Sequence, residues 1–283
     1  PDHDADDIKI YPTSVVEYSQ LADWYNSGEY VPYAELDDGK HMIDVITYFL
    51  MKIPYTMRVN RVLRDFYVDA MIGGTTDGGM RNAIEENLKN MHVRLKDIRV
   101  REVKNGEFDP NDCHLFVDEY PSCGGINYFI SYENLARTKL YGFIRLRFNK
   151  STKYTMPELI DHALVRELHV YGSHTGVGST NSDQTQHRGL GKSLLAEAEK
   201  IAIANGYNHL TVISGVGVKE YYRKQGYRDY CTYVTKDIVD VSLRDVKNTE
   251  DIPPPDIELS KTQNFLVFGA AMIAISAVFW SLV

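Results

Sequence analysis

The residues with the clearest potential for chemistry lie in a turn with two glycines, Gln186-His187-Arg188-Gly189-Leu190-Gly191, followed by Lys192. Apolar residues then recur at helical spacing: Leu190, Leu194, Leu195, Ala198, Ile201 and Ala202. The turn is therefore predicted to open an amphipathic helix over about 189–204. A helix N-terminus offers unpaired N–H groups and partial positive charge, and glycine lets the main chain approach an anion closely. The turn predicts a diphosphate site.

The spacing of this turn narrows the ligand class. Neither G-x-G-x-x-G nor G-x-x-x-x-G-K-[ST] is present, so the pattern indicates neither a dinucleotide fold nor a P-loop. The spacing Q/R-x-x-G-x-G resembles the acetyl-CoA pyrophosphate loop of GCN5-related N-acetyltransferases (GNATs). The alternative is a helix start that contains glycine and binds nothing.

The neighbouring segments extend the resemblance. They are Glu167-Leu168-His169-Val170-Tyr171-Gly172, Ile213-Ser214-Gly215-Val216-Gly217 and Tyr221-Tyr222-Arg223-Lys224. In this order, with the glycine turn, they closely resemble the Elongator catalytic-subunit family, which combines a radical S-adenosylmethionine (radical SAM) barrel with a GNAT domain. The resemblance covers most of residues 7–235.

The resemblance implies an α/β (α+β) fold. We expect the C-terminal part of a radical SAM-like domain with a linker in 1–90, a GNAT acetyltransferase domain in 91–239, a linker in 240–263 and a transmembrane tail anchor in 264–283. Residues 8–50 have a helical pattern, and a helix is predicted over 80–91. Strands are predicted over 98–103, 113–119, 126–132, 141–148, 164–170, 210–214 and 230–234, and a short helix over 218–224.

By resemblance, acetyl-CoA contacts the strand before the turn and the turn itself. The implied cofactor-binding residues are Glu167, Leu168, His169, Val170, Gln186, His187, Arg188, Gly189, Leu190, Gly191, Lys192 and Tyr222. Strand alternation places Glu167 and His169 on one face and Leu168 and Val170 on the other. His169 is either a base or a packed histidine, and His187 is expected to position phosphate or RNA.

The two tyrosines Tyr221 and Tyr222 are the catalytic candidates. GNATs often place a tyrosine here to protonate the departing CoA thiolate. One of the two is expected in the core, and the sequence does not decide which. Upstream, Arg58, Arg61 and Arg64 resemble arginines that face the cleft of the radical SAM barrel, so they are RNA-binding candidates; the alternative is a solvated strand edge.

Composition and cysteine spacing limit the remaining chemistry. A net charge of −8 argues against a generally basic nucleic-acid surface, and the three cysteines form no C-x-x-C pair. A radical SAM cluster needs three cysteine thiolates, so an iron–sulfur cluster and SAM are expected only if an upstream domain exists.

The chain begins at proline and its start looks incomplete; the other half of the family's barrel is either missing from this sequence or lost. No zinc site is expected, because the matching stretch 95–102 lacks cysteine.

The segment from Phe265 to Val283 contains no charged residue, and about 19 residues at about 1.5 Å each span a bilayer core. We expect it to anchor the chain with its catalytic domain on the cytosolic face of an organelle membrane; a buried core helix is the alternative.

The sequence leaves three functions open. They are Elongator-type acetyl-CoA-dependent tRNA wobble-uridine modification, with tRNA and Elongator-like subunits as partners; protein lysine acetylation; and a membrane-tethered, non-catalytic binding subunit.

Overall fold

The protein is described by a computed structural model. It describes residues 5–64, 67–103, 108–150, 155–172 and 189–239, all within one compact unit, Pro1–Asp240. Within these ranges, no helix is both long and apolar enough to cross a bilayer. The predicted linker over 240–263 and tail anchor over 264–283 lie outside the described residues.

The first 100 residues form a helical layer with two short sheets. Its elements are β1 (Asp7–Lys9), β2 (Val15–Val16), α1 (Gln20–Ser27), α2 (Lys40–Lys52), β3 (Arg58–Arg61), β4 (Met71–Gly73) and α3 (Met80–Asn90). β1 pairs in parallel with β3, and β2 pairs antiparallel with β4. Ile46 and Leu50 of α2 and Ile84 and Leu88 of α3 are buried in a common core, so helix-spaced apolar residues hold this layer together.

The helical pattern predicted over 8–50 is only partly right. Helices do form at α1 and α2, but Ile8 pairs with Val59 and Val15 pairs with Gly73 in the two short sheets. The partners of these strands lie more than 50 residues downstream, so local periodicity could not reveal them. α2 ends at Lys52, just before Pro54, as predicted.

A seven-stranded sheet forms the second layer. Its strands are β5 (His114–Ser122), β6 (Gly125–Glu133), β7 (Leu140–Asn149), β8 (His162–Val170), β9 (His209–Val212), β10 (Arg228–Tyr230) and β11 (Tyr233–Asp237). They lie in the order β10-β11-β9-β8-β7-β6-β5, and only β8 and β9 run parallel. The parallel pair requires a crossover, which α5 (Leu190–Ala204) provides. The single strand predicted over 230–234 is instead the β10–β11 hairpin.

α5 covers one face of this sheet. Leu194, Leu195, Ala198 and Ala202 of the helix are buried against strand residues of β6 to β9 and β11, with Tyr222 of α6 (Lys219–Arg223) in the same core. The helix ends at Ala204, with Asn205 as its C-cap, and Gly206 follows with φ +84°, a backbone conformation that glycine adopts without strain. The predicted helix over 189–204 is confirmed.

The strand predicted over 98–103 is wrong, because Ile98–Arg101 forms one helical turn, α4. The Asp97 carboxylate caps it by accepting from the Arg99 N–H at 3.1 Å. Ile98 and Arg101, three residues apart, are both buried, so the burial follows helical spacing. The alternation of apolar and basic residues suggested a strand, but tertiary contacts decided otherwise.

Two ionic clusters, each built around a buried arginine, join the layers. In one, Glu133 accepts from Arg101 at 2.6 Å and from Arg137 at 3.1 Å, and both guanidinium groups lie over the Tyr55 ring. Glu133 and Arg101 are 0% and 2% exposed, so neither charge has water as an alternative partner.

The second cluster ties Asp6 to the sheet. Asp6 accepts from Arg145 at 3.0 Å, from Tyr120 at 2.7 Å and from Arg166. Burial acts to raise the pKa of Asp6, but the hydrogen bond from Arg166 and the charge of Arg145 hold it below its usual value. Burial raises the pKa of Tyr120 to about 12, so its hydroxyl stays a donor at neutral pH.

Candidate functional site

A cavity of about 620 Å³ opens where β8, the N-terminus of α5 and α6 meet. Its lining residues among those described are Leu168, Val170, Gly189, Gly191, Lys192, Val218, Tyr221 and Tyr222. The lining is mostly apolar, with one lysine and two phenols, so it suits a ligand with a long neutral arm and an anionic end.

β8 and β9 separate at this cavity. β9 pairs with β8 from His162 to Val165 only, whereas β7 pairs with β8 as far as Val170. Beyond Val165, the edge of β8 that faces away from β7 therefore has no strand partner among the residues that the structure describes. Its backbone groups can hydrogen-bond an extended ligand in the manner of an added strand.

The N-terminus of α5 lies beside this free edge. Gly189 has φ +134°, a conformation that side chains rarely adopt, and its carbonyl accepts the first helical bond from the Ser193 N–H at 2.8 Å. No side chain of the described residues caps this end, and its first turn contains no acidic residue. Lys192 adds a positive charge, so the helix end favours an anion.

The Tyr221 hydroxyl approaches Gly191 so closely that a side chain at position 191 would meet it. A Cβ built on it would lie 2.7 Å from the Tyr221 hydroxyl and 3.7 Å from a methyl group of Val170. The absence of a side chain therefore lets the phenol of Tyr221 reach the helix end. The two predicted site segments, the glycine turn and the tyrosine pair, are in contact here.

The structure places the two tyrosines differently. Tyr222 is 6% exposed and packs edge-on against Tyr221 at 5.2 Å and against Tyr227 at 5.9 Å, whereas Tyr221 is 36% exposed. Burial raises the pKa of Tyr222 to about 12 and raises the pKa of Tyr221 as well. A phenol whose pKa is raised by burial is a weaker proton donor toward a thiolate, whose reference pKa is about 8.5. Tyr222 is therefore the core residue, and Tyr221 can offer a hydrogen bond.

Glu167 and His169 lie on the sheet face opposite the cavity, as the alternation predicted. The Glu167 carboxylate accepts from Arg145 at 2.9 Å. His169 stacks on Phe143 with ring centroids 6.1 Å apart and lies 4.4 Å from the ring of Tyr171. Neither side chain lines the cavity, while Leu168 and Val170 do.

The three upstream arginines are placed apart from the cavity. Arg58 pairs with Glu102 at 2.5 Å and donates to the Tyr171 hydroxyl at 3.0 Å. Arg61 and Arg64 are exposed. Gln186, His187 and Arg188 lie outside the described residues, so their predicted phosphate contacts stay predictions. Leu190 packs beside the core on the sheet's other face.

The sequence reasoning missed three functional neighbours. Nothing in the sequence pattern distinguishes Arg145, yet its 1% exposure and its bonds to Asp6 and Glu167 make it a central ionic link. Val218 lines the cavity, and Tyr171 contacts Arg58 across the two layers. The only available signal was the placement of a tyrosine next to the last residue of β8.

Comparison with known proteins shows which sequences this chain resembles. Residues 5–90 match the family model of the radical SAM C-terminal domain. The chain is 36% identical over 238 residues to the tRNA uridine(34) acetyltransferase of Dehalococcoides mccartyi, covering 82% of this chain and 50% of that protein. It is 35% identical over 246 residues to Elongator complex protein 3 of Saccharomyces cerevisiae, covering 84% and 43%. Over most of its length, the chain is therefore similar in sequence to proteins named tRNA uridine(34) acetyltransferase and Elongator complex protein 3.

A solved structure supports this relationship at the level of fold. The structure of the archaeal Elp3 of Methanocaldococcus infernus superposes with a TM-score of 0.71 at 32% identity, covering 82% of this chain and 55% of that chain. The fold is thus α/β and similar to archaeal Elp3, with a radical SAM C-terminal domain. The chain spans about half the length of the curated relatives it matches.

Proposed function

We propose that this chain is the acetyl-CoA-binding part of an Elongator-type tRNA wobble-uridine acetyltransferase. The observation that carries the proposal is the cavity where the N-terminus of α5 meets the edge of β8, neither of which has a capping side chain or strand partner among the described residues. Antiparallel strands followed by a crossover helix and a parallel strand support a GNAT domain over 91–239. The same proposal assigns 1–90 to the end of the radical SAM-like domain.

The residues present fit acetyl-CoA. The α5 N-terminus and Lys192 would hold the pyrophosphate, and Gln186, His187 and Arg188 precede them in the sequence. Backbone groups of β8 near Leu168 and Val170 would hydrogen-bond the pantetheine arm. Acetyl-CoA supplies an acetyl thioester, and attack of water on its carbonyl carbon would form acetate and release the CoA thiol. Tyr221 would donate a hydrogen bond at the sulfur and thereby favour that release.

The proposal also includes tRNA, partner subunits, and the iron–sulfur cluster and SAM. We infer tRNA as the substrate and Elongator-like subunits as partners, because relatives named as tRNA uridine acetyltransferase and Elongator complex protein 3 match most of this chain. Arg61 and Arg64 would meet RNA phosphate. An iron–sulfur cluster and SAM belong to the proposal only if an upstream domain exists. The tail anchor and its cytosol-facing organelle membrane stay predictions of the sequence.

Protein lysine acetylation has less support. That reaction needs a base to deprotonate the amine, and the described residues that line the cavity include no carboxylate and no imidazole. Glu167 and His169, the candidates from the sequence, lie on the opposite face of the sheet. A substrate whose acceptor group is activated elsewhere is the better match to this lining.

The test is release of the CoA thiol from acetyl-CoA by the full chain, with and without total tRNA. We expect tRNA to stimulate release, and Tyr221→Phe to lower the stimulated rate by roughly 10²-fold. The matched variant Tyr222→Phe removes the hydroxyl of the less exposed tyrosine and should retain most activity. Failure of tRNA to stimulate release would overturn the proposed function; equal losses in both variants would overturn the assignment of Tyr221.

A further inference from the structure

Tyr171 connects the cavity to the first layer of the protein. It directly follows Val170, which lines the cavity, and its N–H donates to the Tyr141 carbonyl at 2.9 Å. Its side chain is 8% exposed and projects to the face opposite the cavity, beside His169. Any displacement of this phenol therefore acts directly on the end of β8.

The Tyr171 hydroxyl is held from two directions. It accepts from Arg58 Nη1 at 3.0 Å and donates to Glu102 Oε1 at 3.3 Å. Burial raises the pKa of Glu102, although the charge of Arg58 opposes that effect. Burial likewise raises the pKa of Tyr171, which keeps the phenol protonated and able to donate.

Arg58 contacts Glu102 as well as Tyr171, and its side chain remains partly accessible to solvent. Its Nη1 lies 2.5 Å from Glu102 Oε1, and its Nε donates to Asn60 at 2.9 Å. The side chain is 26% exposed, so an incoming anion can reach the guanidinium without unfolding of the layer. Phosphate binds guanidinium through strong charge-assisted bonds and would compete with Glu102 for it.

We propose that Tyr171 is a positioning residue that transmits the binding of an RNA phosphate at Arg58 to the acetyl-CoA cavity; the inference rests on the proposed function. Phosphate at Arg58 draws the guanidinium away from Glu102 and weakens the pair that holds the phenol. The hydroxyl then changes partners, and the end of β8 shifts beside Val170. The link passes through three side chains in direct contact, each with a stated bond.

The test measures amide hydrogen exchange of the full chain with and without total tRNA, in peptides that cover 163–171. We expect tRNA to change the exchange rate of wild type by about fivefold, the lower end of typical coupling between sites. Tyr171→Phe removes only the hydroxyl and should abolish this response. It should also lower the tRNA-stimulated kcat for CoA release by about fivefold without changing KM for acetyl-CoA.

A matched variant separates transmission from general loss of packing. Tyr120 is 7% exposed, and its hydroxyl likewise bonds across the layers, to Asp6. Tyr120→Phe should respond to tRNA as wild type does. The inference is overturned if Tyr171→Phe responds like wild type, if Tyr120→Phe loses the response equally, or if wild type shows none. Titration of wild type with acetyl-CoA alone tests the proposed function separately, because that binding does not require Tyr171 to transmit anything.

Discussion

The contact between Gly191 and Tyr221 predicts a coupled effect of substitutions in α5 and α6. An alanine at Gly191 would place Cβ 2.7 Å from the Tyr221 hydroxyl, well inside contact distance. The obstructing atom is the end of a side chain, so the phenol should move and the helix should stay. Gly191→Ala is thus expected to displace Tyr221 from the cavity without unfolding the chain.

The magnitude follows from two opposing effects on the free energy of unfolding. Glycine to alanine in a helix stabilises by up to about 1 kcal/mol, whereas inserting a methyl group into a packed contact costs about 1–3 kcal/mol. In the Tyr221→Phe background the hydroxyl is gone and the nearest ring atom lies 3.7 Å away, an ordinary contact. We therefore expect Gly191→Ala to destabilise wild type and to stabilise Tyr221→Phe, with a coupling energy of about 1 kcal/mol or more.

The assay is urea unfolding of the four proteins of this double-mutant cycle. Gly217→Ala is the control, because nothing lies within 4 Å of a Cβ built at that position. It should shift stability equally in both backgrounds. If Gly191→Ala also shifts both backgrounds equally, to within about 0.5 kcal/mol, the close approach that defines this end of the cavity is refuted.

Three further predictions concern charges. Glu133→Gln leaves two arginines without their buried carboxylate and should lower the free energy of unfolding by about 3–5 kcal/mol in a urea titration. The control Glu220→Gln, on the surface, should change that free energy little. Equal effects of the two substitutions would contradict the burial of Glu133. Because the pKa of Asp6 is lowered in the folded state, its contribution to the free energy of unfolding is present above the unfolded pKa of about 3.9 and is lost as pH falls through the folded pKa. The stability that Asp6→Asn loses relative to wild type in urea unfolding should therefore become smaller below about pH 4. A loss that stays constant from pH 7 to 3 would refute this. Lys192→Gln should weaken acetyl-CoA binding by about 1 kcal/mol and reduce the salt dependence of that binding in titration calorimetry. The control Lys200→Gln, farther along α5, should change neither quantity. Equal binding by the two variants would show that Lys192 is not part of the site.

Much of the second layer could be predicted from sequence because its signals are local. Strand alternation placed Leu168 and Val170 on one face, and the apolar repeat of α5 with its glycine turn marked the helix and its N-terminus. These patterns depend on side-chain periodicity alone, and the structure confirms them.

The remainder depends on contacts between distant residues. β1 forms because Ile8 pairs with Val59, and α4 forms as Asp97 caps it and Arg101 reaches Glu133. The choice between Tyr221 and Tyr222 needed the packing of α6 against the core. The bond from Arg58 to Tyr171 spans 113 positions, and no spacing rule predicts such a contact.

The most direct test of the central claim is titration calorimetry of the full chain with a non-hydrolysable acetyl-CoA analogue, alone and with total tRNA. The account predicts binding that weakens or disappears when Gly189 and Gly191 are both replaced and that changes when tRNA is present. A folded wild-type chain that binds no analogue would contradict it and leave a binding subunit without chemistry as the better explanation.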